Sequence, residues 1–225
     1  MINRNRPAGF VVIALAIAAG MSPRIFIRAA AAQSGSASKV PVFEVDTTWP
    51  QLPNNWVLGN VSKVVVDQHD NVWFIHRPRN PALKVPEGKA AAPPVLEFDA
   101  NGKFIQAWGG PGGYDWPDTE HNIFVDNKDN VWISGSSPNN SKTTESDDML
   151  LKFNNKGKFL LQVGGRSVSN GNKDTKSVNK PGVLFVSAKT NEVYVADGYG
   201  NRRVIVFDAD TGAFKIGRAS CRERV

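Results

Sequence analysis

The chain has 225 residues, of which 41% are hydrophobic and six are Trp, and this composition excludes a disordered chain. Its formal charge is +6, but the first 32 residues carry four Arg and no acid, and the last ten carry three Arg and one Glu. Residues 33–215 therefore hold 20 basic and 20 acidic residues. A nucleic-acid-binding surface needs a basic excess on the folded part, so we predict no nucleic-acid partner.

Residues 1–32 have the pattern of an export signal. Arg4 and Arg6 precede the apolar run Phe10–Gly20, and Ala29–Ala32 offers small residues for cleavage. An uncleaved anchor is the alternative, but an eleven-residue run is too short to span a bilayer. We therefore predict a periplasmic or secreted protein with no stable membrane span after cleavage.

The segments that flank the central part differ from it. Residues 33–60 form a lead-in that begins with small polar residues and contains a strand-like run, Val42–Val45. At the other end, residues 216–225 match nothing upstream and resemble a translated sequencing adapter, so we interpret them as an artefactual tail. This interpretation predicts that the gene continues past Lys215 with further repeats, which resequencing the locus would test.

The central part, 61–215, contains an internal repeat. The stretch from Val64 to Ile75 parallels Ile123–Ile133, with Trp73 aligned on Trp132, and a looser third copy begins at Leu184. Each unit has four β-branched or aromatic runs separated by Asp, Asn and Gly turns. Four strands at a period of about 40–60 residues indicate a blade of a β-propeller. The alternative, a β-sandwich, does not explain the repetition of the whole unit.

We therefore predict an all-β fold, a β-propeller truncated to about three four-stranded blades, in which the two repeated Trp pack between blades. A ring closes with at least four blades, so Val42–Val45 is a candidate for the strand that completes the last blade. Because open blade faces are apolar, we expect residues 33–215 alone to aggregate or unfold readily. The Asp-Asn clusters at 67–71 and 126–130 are interpreted as hairpin turns, although a structural Ca²⁺ is a further candidate.

Propeller geometry brings residues of successive blades together. The start of a blade's first strand and the end of its second strand lie on one face, close to the axis. By this rule His121, which precedes a first strand, meets the residues that follow two second strands. Those residues are His76, Arg77, Asp197, Tyr199, Asn201 and Arg202. We predict that this face binds a peptide or small-molecule ligand; the oligomeric state is open.

The unit from Pro181 to Asp208 resembles an NHL repeat, a group that forms six-bladed propellers. Within that group the chain is most similar to the peptidyl-α-hydroxyglycine α-amidating lyase family. Three motifs carry the resemblance: Phe74-Ile75-His76-Arg77, Glu120-His121-Asn122-Ile123, and Asp197-Gly198-Tyr199-Gly200-Asn201-Arg202-Arg203.

The resemblance implies a zinc-dependent carbon–nitrogen lyase that releases a peptide amide and glyoxylate. It implies that His121 is a zinc ligand, Tyr199 the catalytic base and Arg77 its electrostatic partner. The other residues that propeller geometry places on this face, His76, Asp197, Asn201 and Arg202, are predicted to contact substrate. A catalytic zinc has about three protein ligands, so the other ligands are expected in further blades. Two alternatives stay open, a noncatalytic propeller that binds a protein, peptide or glycan, and a lactonase-like hydrolase.

Overall fold

The described part of the chain is built from β-strands and contains no helix, and therefore no helix that could cross a membrane. In this computed structural model the described residues are 42–136 and 145–219. The strands are β1 (Trp56–Val57), β2 (Asn60–Val66), β3 (Val72–Arg77), β4 (Ala90–Ala91), β5 (Val95–Phe98), β6 (Phe104–Trp108), β7 (Glu120–Val125), β8 (Val131–Gly135), β9 (Asp147–Phe153), β10 (Phe159–Arg166), β11 (Val183–Ser187), β12 (Glu192–Asp197), β13 (Arg203–Asp208) and β14 (Phe214–Ala219). The predicted all-β class is confirmed.

Twelve of these strands form three antiparallel sheets of four. The first sheet has the order β2-β3-β5-β6, the second β7-β8-β9-β10 and the third β11-β12-β13-β14. Strands β1 and β4 pair in parallel beside the first sheet, β4 lying in the insertion that separates β3 from β5. The four-stranded unit predicted from the repeat is therefore present three times in the described part.

The sheets pack face to face in chain order. Strand β7 contacts both β2 and β11, so the first strands of the three sheets lie side by side, as the inner strands of a propeller do. Trp73 is buried with Ile123 and Ile133 between the first two sheets, and Trp132 is buried with Leu184 between the second and third. The predicted packing of the repeated Trp between blades is confirmed.

The repeated Asp residues explain why each Trp sits where it does. The Asp67 carboxylate accepts hydrogen bonds from the Asn71 backbone N–H at 2.9 Å and from Trp73 Nε1 at 2.8 Å. Asp126 does the same for Asn130 at 2.9 Å and Trp132 at 2.9 Å. The hairpin-turn interpretation is thus confirmed, and these carboxylates are occupied by N–H donors of their own turns.

The ends of the chain are described only in part. Residues 42–46 belong to no strand, and Val42, Phe43 and Val45 are almost fully exposed. The ring-closing role of Val42–Val45 stays a prediction. The predicted export signal lies outside the described residues. Residues 216–219 of the predicted artefactual tail are paired in β14 with β13, and residues 220–225 lie outside the described part.

One face of the third sheet is apolar and open to solvent. Phe185, Tyr194, Val204 and Ile216 are 37–53% exposed. Phe185 pairs with Tyr194 as Phe124 pairs with Trp132 in the second sheet, where the same face is covered by the next sheet. The third sheet thus exposes a face whose equivalent in the second sheet is buried against the next sheet.

We expect this face to make the chain self-associate. Contiguous exposed apolar patches favour association, so Val204→Lys should raise the monomer fraction and lower the binding of an apolar fluorescent dye. Analytical ultracentrifugation across a concentration series measures the first effect. Val168→Lys, at a loop position 46% exposed, is the matched control and should change neither. A wild-type chain that stays monomeric and binds no dye would contradict the expectation.

Candidate functional site

Three side chains named by the sequence meet at the inner end of the sheets. Arg77 ends β3, His121 lies in β7, and Tyr199 follows β12. Arg77 Nη2 donates a long hydrogen bond of 3.4 Å to His121 Nδ1. The rings of His121 and Tyr199 pack edge to face with their centroids 5.4 Å apart. The structure therefore places a guanidinium, an imidazole and a phenol from three successive sheets on one face.

Two β-bulges direct side chains toward this face. The pairing of β2 with β3 shifts between Val61 and Lys63, and the pairing of β7 with β8 shifts between Glu120 and Asn122. A bulge places an extra residue on one strand and re-aims its side chain. His121 is the extra residue of the second bulge, which accounts for its departure from the alternation of the strand.

The backbone at the second bulge binds the first sheet. The carbonyl oxygen of Glu120 accepts hydrogen bonds from Arg77 Nε at 2.9 Å and from the Ser62 hydroxyl at 2.9 Å. Arg77 is half-buried as a result, and two of its nitrogens are directed at the His121 bulge. The arginine is thus fixed by the backbone that carries His121.

His121 sits in a positive environment. Partial burial lowers its pKa below the ordinary value, and the charges of Arg77 and Lys63 lower it further. At neutral pH the imidazole is therefore uncharged. The phenol of Tyr199 lies beside this neutral ring and is 64% exposed, so it can reach a ligand from solvent.

His76 stands apart from these residues although the sequence grouped it with them. It is completely buried; its Nδ1 accepts from the Gly59 N–H at 3.0 Å and its Nε2 lies 2.9 Å from the Pro93 carbonyl oxygen. Because both ring nitrogens are engaged by backbone groups, its contacts are those of a structural tie between two loops.

Asp197 and Asn201 are also buried, whereas Arg202 is exposed. Asn201 Nδ2 donates to Asp197 Oδ2 at 2.8 Å, and the same carboxylate binds Arg203 Nε at 2.7 Å. These contacts fix the turn that presents Tyr199. Of the four predicted ligand contacts, His76, Asp197 and Asn201 are buried and Arg202 is exposed.

Gly200 is required by the packing of this turn. A Cβ atom there would lie 1.9 Å from Asn179 Oδ1, and the Gly200 N–H donates to the Asn179 carbonyl oxygen at 3.0 Å. Any side chain at this position would have to displace the side chain of Asn179. The sequence alone showed a turn-rich stretch but not this close approach.

The burial of His76 predicts a pH dependence of stability. Burial lowers the pKa of His76 in the folded chain. As the pH falls through about 6.5, the imidazole is therefore protonated in the unfolded chain before it is protonated in the folded chain, and the free energy of unfolding decreases. His76→Gln, which can still accept from Gly59 and donate to Pro93, should flatten the fall of unfolding free energy between pH 7 and pH 5. The difference in slope is at most about 1.4 kcal/mol per pH unit. Urea denaturation at each pH measures it, and equal slopes for the two proteins would contradict the prediction.

The loop before β7 is anchored by residues that the sequence analysis missed. The buried Asp147 accepts the N–H groups of Asp118 at 2.9 Å and Thr119 at 2.8 Å, and burial raises its pKa to about 6. The Glu120 carboxylate, also buried, binds Arg79 and Trp116. An acid directly before His121 was visible in the sequence, but its burial depends on contacts between distant segments.

Zinc does not fit the residues described. A catalytic zinc site uses three protein ligands, and the described residues bring no group of three His, Cys, Asp or Glu together. His121 is the candidate ligand here, and its Nδ1 faces the Arg77 guanidinium. Zinc ligation by His121 stays a prediction that needs ligands from outside the described residues.

The fold and site define a propeller-like β protein with an inner site of Arg, His and Tyr. No family model matches the chain, and no curated protein is similar to it, so neither an NHL nor an amidating-lyase family is identified. Solved structures with similar folds include a streptogramin B lyase (TM-score 0.47, 12% identity, 72% of this chain and 41% of that one). They also include a gluconolactonase from Xanthomonas campestris (TM-score 0.45, 13% identity, 71% of this chain and 48% of that one).

A third similar structure is the extracellular domain of a proposed one-component system from B. thetaiotaomicron, with a TM-score of 0.37 and 11% identity over 73% of this chain and 16% of that one. The chain spans less than half the length of each of these proteins. Those proteins are a lyase, a lactonase and an extracellular domain, and at 11–13% identity none of their activities is carried over to this chain.

Proposed function

We propose that the protein is an exported propeller lyase that cleaves a peptidyl-α-hydroxyglycine to a peptide amide and glyoxylate. One observation carries the proposal: Arg77, His121 and Tyr199, each singled out by a motif on a different repeat, lie together on one face. The fold brings these three positions to one face, and what supports the proposal is the kind of residue found there: a cation, an imidazole and a phenol in contact with one another.

The reaction needs a base, a site for an anion and a proton for the leaving group. The base removes the proton of the substrate hydroxyl, the oxygen electron pair forms the aldehyde carbonyl, the carbon–nitrogen bond breaks, and the amide nitrogen takes a proton. No oxidant and no water are consumed. Positioned acid–base groups of this kind contribute about 10²–10⁴-fold to a rate.

The described side chains can serve these steps without a step through zinc. Tyr199 is exposed and can exchange a proton with the substrate hydroxyl, and the fixed positive charge of Arg77 favours both a substrate carboxylate and the developing negative charge. His121, held neutral beside Arg77, can donate or accept one hydrogen bond at the same centre.

The test is release of glyoxylate from N-benzoyl-α-hydroxyglycine by the purified chain. We expect glyoxylate and benzamide in equal amounts, faster than in buffer. A rate equal to that in buffer, with and without added Zn²⁺, would overturn the proposal.

A noncatalytic binding propeller is the second candidate, favoured by the exposure of the Tyr199 ring. An accessible aromatic edge beside fixed cations is also a recognition surface. This candidate predicts saturable binding of the same compound, measured by calorimetry, with no glyoxylate formed. The lactonase alternative would need acidic and amide Ca²⁺ ligands, and Arg77, His121 and Tyr199 are of another kind.

A further inference from the structure

A single buried residue, Glu120, organises two arginines at the rim of the site. Its carbonyl oxygen accepts from Arg77 Nε at 2.9 Å, and its carboxylate oxygen Oε1 lies 2.8 Å from Arg79 Nη2. Oε1 also accepts from Trp116 Nε1 at 2.9 Å. Both guanidinium groups are therefore held within hydrogen-bond reach of one residue.

Arg79 is positioned but still accessible. Its side chain is 37% exposed, and within the described part its hydrogen bonds run from Nη2 alone, to Glu120 and to the Pro117 carbonyl. A guanidinium has five N–H donors in a fixed fork. The N–H groups on Nε and Nη1 of Arg79 can therefore donate to a ligand, and so can those on Nη1 of Arg77.

Positive charge gathers on both sides of Glu120. Arg77 and Lys63 act on His121, the residue after it, and Arg79 binds the Glu120 carboxylate, the acid that the described residues bring against Arg79. Asp118 on the adjoining loop and Asp147 on β9 face Arg166, with Asp118 at 2.9 Å and Asp147 at 3.9 Å. Counting Glu120 as ionised, this part of the rim has an excess of two positive charges.

We propose that the site takes a ligand with two anionic groups, the second of which is bound by Arg79. The inference rests on the proposed function for the first group, the carboxylate of the hydroxyglycine, which Arg77 receives. The second group belongs to the acyl part, as in a dicarboxylic acyl chain or an acidic residue next to the hydroxyglycine. Fork-shaped guanidinium contacts to carboxylates are strong and directional.

Binding of unreactive anions tests this apart from catalysis. By calorimetry at low ionic strength, succinate should bind about tenfold more tightly than butyrate, because each additional charge-assisted contact has about that effect. Arg79→Gln should abolish the preference by lowering the affinity for succinate to about that for butyrate, and Arg79→Lys, which keeps the charge but not the fork, should retain only part of it. Lys89→Gln, an exposed lysine in the same insertion, is the control and should behave as wild type.

The outcomes separate the two proposals. Equal binding of succinate and butyrate, or a preference that survives in a folded Arg79→Gln variant, would overturn the inference. A retained preference without glyoxylate release would overturn only the lyase proposal. If the lyase is active, N-succinyl-α-hydroxyglycine should have a KM about tenfold below that of N-butyryl-α-hydroxyglycine at similar kcat. A lowered KM that is unaffected by Arg79→Gln would again contradict the inference.

Discussion

Arg203→Ala is expected to lower the free energy of unfolding by about 3–5 kcal/mol, the usual cost of removing one partner of a buried ion pair. Arg203 is 6% exposed, and its Nε donates to Asp197 Oδ2 at 2.7 Å. Its terminal nitrogens donate to the carbonyl oxygens of Asn172, Asp174 and Ser177. Truncation would leave a buried carboxylate without its cation and three loop carbonyls without a donor.

The adjacent Arg202 supplies the matched control. It lies on the exposed side of the same turn, so Arg202→Ala should change the unfolding free energy by less than about 0.5 kcal/mol. Urea denaturation followed by tryptophan fluorescence measures both variants. If Arg203→Ala lowered the free energy of unfolding no more than Arg202→Ala, the ion pair would not be the contact that holds the loop of residues 167–182 on the third sheet.

The repeat and its strands could be predicted because their signals are local. Alternating β-branched residues mark the strands, and Asx-rich turns separate them at the same places in each unit. The grouping of Arg77, His121 and Tyr199 also followed from the sequence, since strand polarity alone decides which ends share a face. What strand polarity cannot decide is whether a residue at such an end points outward or inward.

His76 illustrates that limit. It adjoins Arg77 in β3, yet the alternation of a strand turns the two side chains to opposite sides, and the Gly59 and Pro93 segments close over the imidazole. The bulge at His121 and the burial of Glu120 were hidden for a related reason. Both depend on contacts with β2, the insertion after β3 and the loop before β7, which are distant in sequence.

The roles implied by the family resemblance stay predictions, and the contacts add one detail to them. Arg77 is hydrogen-bonded to Glu120 and His121, and Tyr199 meets His121 through its ring. His121 is thus the group between the cation and the phenol. Any electrostatic effect of Arg77 on Tyr199 would act across the imidazole.

We expect Tyr199→Phe to lower the rate of glyoxylate release by about 10²–10⁴-fold, the usual contribution of a positioned acid–base group. Phenylalanine keeps the ring that packs on His121 and lies over Gly182, so the fold and the affinity for an unreactive anion should persist. The variant therefore removes the hydroxyl and little else. The measurements are kcat for N-benzoyl-α-hydroxyglycine and the dissociation constant of succinate.

Tyr194→Phe is the matched control for the loss of a phenol. Tyr194 lies on the third sheet, where its hydroxyl donates to Glu192 at 2.8 Å, and its loss should leave the rate unchanged. A Tyr199→Phe variant with undiminished kcat would remove the phenol from the mechanism and leave His121 as the group able to take the hydroxyl proton. Loss of both succinate binding and activity would instead show that the Tyr199 hydroxyl holds the ligand. Succinate has no hydroxyl proton for a base to remove, so a group that acts only in proton transfer should not change its affinity.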